Sequence, residues 1–73
     1  MKRTAYLAEA RARGVVNARA AANTVRRWGG SMERAALRRL RLGRGAERAV
    51  HLRLLVRNGS TYVLPDQLTA ASA

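Results

Sequence analysis

The pair Asn58-Gly59 constrains this chain more than any other stretch. It separates the apolar and β-branched residues of 49–57 from those of 60–64. Asn-Gly readily takes positive φ at both central positions of a type I′ turn, so the sequence predicts a β-hairpin spanning residues 49–64. A two-residue turn there sets Arg57 opposite Ser60, Val56 opposite Thr61 and Leu55 opposite Tyr62. Side chains alternate along a strand. Val50, Leu52, Leu54, Val56, Thr61 and Val63 therefore fall on one face, predicted to be core, and Arg53, Leu55, Arg57 and Tyr62 on the other, predicted to be a partner-binding surface. A lone hairpin is marginal in water, so the upstream chain must cover its apolar face.

Upstream, residues 4–13 are good helix formers with Thr4 as a cap and Gly14 as a terminator. A second helix is predicted from Asn17, with Ala18, Ala21, Ala22, Val25 and Trp28 at helical spacing before Gly29-Gly30. Ser31 opens a third segment whose inner stripe would be Met32, Ala35, Ala36 and Leu40; the alternation over residues 37–42 also suits a third strand. Pro65 ends the hairpin. The expected architecture is a small α+β domain over residues 1–65, two or three short helices packed on a C-terminal antiparallel β-hairpin, followed by a mobile tail at 66–73.

Charge bears most directly on function. Fifteen Lys plus Arg against four Asp plus Glu give a net charge of +11, and Lys2 is the sole lysine. This imbalance points to a polyanionic or acidic partner, and guanidinium binds phosphate and carboxylate bidentately. Candidate contacts are Arg26 and Arg27 at the end of the second helix, and Arg38, Arg39, Arg41 and Arg44 in the densest basic stretch. Charge runs of this kind also occur as merely solvated faces. Catalysis is not indicated: one His, no Cys and carboxylates at 9, 33, 47 and 66 form no acid–base or metal-ligating motif. No cofactor, small-molecule substrate or nucleotide loop is implied. No apolar run approaches the ~20 residues of a membrane span, and residues 1–13 lack a secretory pattern, so a soluble intracellular protein is expected.

Ala10, Gly14 and Val15 have the spacing of the alanine, turn glycine and next apolar residue of a helix-turn-helix, with Thr24–Trp28 closing its second helix. With the hairpin added, the order resembles a winged helix, although Ala20 and Asn23 depart from the usual buried positions. The small size, the arginine load, the Met1-Lys2-Arg3-Thr4 start and the Arg57-Asn58-Gly59 hairpin together resemble small phage-encoded transcription regulators that bind host bacterial RNA polymerase, of the Xanthomonas phage type. That resemblance implies binding to the β′ and β subunits in the cytoplasm of the infected host, inhibition of σ-dependent initiation and promotion of terminator read-through, with nascent RNA or DNA phosphates as further contacts. A winged-helix-like DNA-binding repressor and a general nucleic-acid-binding module are the alternatives.

Overall fold

The alanine-rich segment from Arg3 to Arg27 forms one helix, α1, rather than two. Gly14 does not stop it, because helix formers flank it on both sides and one interior glycine costs only about 1 kcal/mol. Thr24 is accommodated by donating its hydroxyl to the carbonyl of Ala20 at 2.9 Å. Val15 and Val16, predicted as a connector, are helical as well, so the expected helix-turn-helix at Ala10–Val15 does not exist.

This computed structural model describes residues 3–67, with side chains from residue 5. After α1 follow β1 (Ser31–Glu33), α2 (Arg34–Arg39), α3 (Gly43–His51), β2 (Val56–Asn58) and β3 (Thr61–Val63). The strands form an antiparallel sheet in the order β1-β3-β2. The α+β architecture is as predicted, with a third strand present. That strand is Ser31–Glu33 and not 37–42, where the chain instead completes α2 and turns. The helical turn at 65–67 is described, whereas most of the predicted mobile tail, residues 68–73, lies outside the described residues.

All three helices close alike. Gly30 N–H reaches the carbonyl of Val25 at 2.8 Å, Leu42 N–H that of Leu37 at 2.8 Å and Leu54 N–H that of Ala49 at 2.7 Å. The residue before each donor has positive φ: Gly29 (96°), Arg41 (60°) and Arg53 (61°). These are Schellman closures. The first explains why Trp28, predicted as a core anchor, is exposed: it is the C-cap residue, at the flank of the apolar stripe, where the chain leaves the helix axis.

The hairpin forms with a different register and the opposite facing. Val56 pairs with Val63, Arg57 with Tyr62 and Asn58 with Thr61, so Asn58 is the last strand residue and Gly59-Ser60 make the turn. Gly59 has a φ of 62° and Ser60 is not in the positive-φ region, as a glycine at the first central position of a type II′ turn requires. This slip moves each partner by two residues, so the predicted sets of side chains stay together. Which set is buried is reversed. Leu55, Tyr62 and Leu64 are core, while Val56, Thr61 and Val63 are half-buried. The reversal accompanies α3, which runs on to His51, withdraws residues 49–51 from the strand and sets Val50 and His51 beside a groove shared with Tyr62.

The core gathers Ala18, Ala21, Ala22 and Val25 of α1, Met32, Leu37, Ala46, Ala49, Leu55, Tyr62 and Leu64. Its largest fully buried side chains are Tyr62, Leu37, Leu55 and Val25, each contributing roughly 1.5–3 kcal/mol on burial. Leu37 takes the inward place predicted for Ala35 and Leu40, both of which are exposed. α1 and α3 pack closely through small residues. A Cβ on Gly45 would lie 2.5 Å from the carbonyl oxygen of Asn17, whereas one on Gly14 would lie 3.8 Å from Arg48 Nε, an ordinary contact. Gly14→Ala is therefore expected to raise stability by about 0.5–1 kcal/mol through helix propensity alone, visible as a higher midpoint in urea unfolding; a lowered midpoint would show a tighter crossing.

Candidate nucleic-acid interface

Helices α2 and α3 are joined by the three residues Leu40–Leu42, the turn length of a helix-turn-helix. The turn is made without glycine at its positive-φ position, which Arg41 occupies. An arginine held in the left-handed region stores strain of order 1 kcal/mol that glycine would relieve, as Arg53 also does at the end of α3.

Helix α3 has two unlike faces. Gly45, Ala46 and Ala49 are buried against the rest of the domain, while Arg44, Glu47, Arg48 and His51 recur at helical spacing on the exposed side. The stripe continues on both flanks. Towards the turn, Arg38, Arg41 and Arg44 line one concavity with Asn17. Towards the hairpin, Glu47 and His51 share a groove with Arg57 and Tyr62. Arg57 reaches that groove because it pairs with Tyr62 and so projects from the helix-covered side of the sheet. Its Nε–H also donates to the carbonyl of Gly59 at 3.2 Å, tying the side chain to the hairpin tip.

Among the described residues, the ion pairs are Glu9–Arg13 at 3.7 Å and Arg34–Glu47 at 3.6 Å. Both are exposed pairs, worth about 0–1 kcal/mol. Arg34 pairs with the one carboxylate of the α3 stripe, Glu47, which shares a concavity with Arg38 and Arg44. Arg38, Arg41, Arg44 and Arg48 have neither an ion pair nor a side-chain hydrogen bond among the described residues, leaving their forks open to an external anion.

The structure thus brings Arg38, Arg41, Arg44 and Arg57 together and leaves the other predicted contacts elsewhere. Arg39 points to the opposite side of α2, beside Trp28. Arg26 and Arg27 end α1, and Arg53 follows α3 in a positive-φ turn; all are exposed. Leu55 and Tyr62, predicted as partner-binding, are each 1% exposed and belong to the core, so the expected four-residue outer patch does not form. Sequence reasoning missed Arg48, Glu47 and His51 as members of one stripe. Their 44–47–48–51 spacing was the signal that could have found them, hidden once 49–51 were assigned to a strand.

The elements succeed one another as helix, strand, helix, helix and hairpin, with the first strand pairing on the last. No protein-family model, curated protein or solved structure matches the chain. Among the described residues, no cluster of side chains is arranged to hold a metal ion, and no helix is long and apolar enough to cross a membrane.

Proposed function

We propose that the domain binds duplex DNA, with α3 in the major groove and the hairpin against the flanking backbone. The observation that carries this reading is the cluster of Arg38, Arg41 and Arg44, free of ion pairs, at the α2–α3 turn and the start of α3, with Arg57 on the hairpin beyond it, on an element order suited to such docking. Arg41, Arg38 and Arg57 serve as phosphate contacts that fix position. Arg44 and Arg48 stand where base edges are read, and Arg is the commonest partner of guanine in that groove. The test is selection from random duplexes: enrichment of a defined site is expected, and affinity should fall steeply with salt. Binding without any enriched sequence would reduce the activity to electrostatic association.

A second reading is attachment to RNA polymerase, as the resemblance to phage transcription regulators implies. What favours it is an exposed apolar groove beside Trp28, which DNA contact through α3 leaves unused. The two separate in one experiment. Retention of polymerase from a nuclease-treated bacterial lysate supports the second reading, and loss of every partner on nuclease treatment supports the first.

A further inference from the structure

We infer that the groove between the end of α1, strand β1 and helix α2 docks an acidic segment of another protein bearing a large apolar side chain. The inference is independent of DNA binding by α3 and deepens the polymerase reading, which draws on the same groove. Trp28, Met32, Ala36 and Leu40 form the apolar lining. Trp28 is 68% exposed and Leu40 48%. Single exposed apolar residues are ordinary, but an exposed indole and a leucine lining one groove make a patch of the kind that contacts proteins. Tryptophan is also among the residues most enriched at binding hot spots.

Helix α2 separates this groove from the arginine stripe. Arg34 and Arg38 line the α3 side of that helix, while Ala36, Arg39 and Leu40 line the Trp28 side. The local charge selects the occupant. Arg39 lies in the lining and Arg26 and Arg27 immediately precede Trp28, against the single carboxylate of Glu33. A second copy of the chain would bring +11 against +11, which opposes self-association. Duplex DNA satisfies the arginines but presents charged backbone rather than an apolar side chain to fill the lining. An acidic segment with an apolar anchor meets both demands. Among the described residues strand β1 is also at the edge of the sheet, a position along which an extended segment can pair.

Trp28 is the only tryptophan, and its emission therefore reports on the groove directly. The probe is an acetylated decapeptide of Asp and Glu with two central leucines, titrated into the full chain. A saturable blue shift is expected, and Leu40→Ser should weaken binding about tenfold while circular dichroism stays unchanged, since Leu40 is already half exposed. Arg39→Glu should weaken binding as well, and Arg44→Ala/Arg48→Ala should leave it intact. A leucine-free peptide that binds equally well would overturn the inference by reducing it to charge. So would a Trp28 emission that ignores the peptide, that shifts with protein concentration alone, or that responds to duplex DNA in place of the peptide.

Discussion

Ala in place of Gly45 is expected to destabilise the domain by about 2 kcal/mol, a fall in melting temperature on the order of 10 °C for a chain of this size. The added Cβ would stand 2.5 Å from the carbonyl oxygen of Asn17 and 3.0 Å from its carbonyl carbon. Both atoms belong to the backbone of α1, which cannot rotate aside as a side chain does. The two helices must move apart, loosening the packing of Ala18 and Ala21 on Ala46 and Ala49. Better helix propensity returns about 1 kcal/mol and leaves the balance unfavourable. Gly14→Ala is the matched control, the same chemical change at a site with room and with the opposite expected sign. Calorimetry on the pair decides the matter: an unchanged midpoint for Gly45→Ala would mean that α1 and α3 cross less closely than these distances imply.

Removing both Arg44 and Arg48 side chains should have the largest effect on nucleic-acid binding. Loss of two base-reading arginines should relax discrimination at the bases they contact by about 1–3 kcal/mol each, whereas withdrawing a phosphate-contacting arginine such as Arg41 should instead reduce the slope of log affinity against log salt by about 1. Affinity at low salt should fall steeply, because Arg44 stands on the exposed face of α3 and Arg48 on its flank beside Gly14 of α1. The informative comparison is Arg11→Ala/Arg13→Ala, which changes net charge equally on the exposed N-terminal half of α1. Fluorescence anisotropy across a salt series should separate the two variants clearly. Equal weakening in both would show that the charge acts as a diffuse cloud and that α3 is not the docking element. Stability should be unaffected, as neither Arg44 nor Arg48 belongs to the core.

The turn chemistry of Asn58-Gly59 announced a hairpin, and alternation within it correctly kept Leu55 with Tyr62 and Val56 with Val63. Which set faced inward was not legible, because both faces carry apolar side chains and the decision rests with the helix that covers one of them. The same competition hid α3: Val50, Leu52 and Leu54 alternate like a strand, yet the helical recurrence of Ala46, Ala49 and Val50 prevails because it fits the crevice beside α1. Gly14 misled for the converse reason. Local punctuation marks the end of a helix only when nothing beyond it rewards continuation, and here Ala18, Ala21, Ala22 and Val25 supply that reward through burial. The basic candidates were legible as a group from charge. Their division between the two sides of α2 was not, since Arg38 and Arg39 are neighbours in sequence and part only when the helix turns them.

Helix α1 consequently has two energetic regimes along one rod. Its 25 residues span about 37 Å within a molecule 49 Å long, and every residue from Ala5 to Arg13 is exposed. The buried contribution begins at the Gly14–Val15 step and ends at Val25. Trimming α1 back to the Arg13–Gly14 boundary would delete, among the described residues, no side chain of the core and would shorten a lever rather than weaken a foundation.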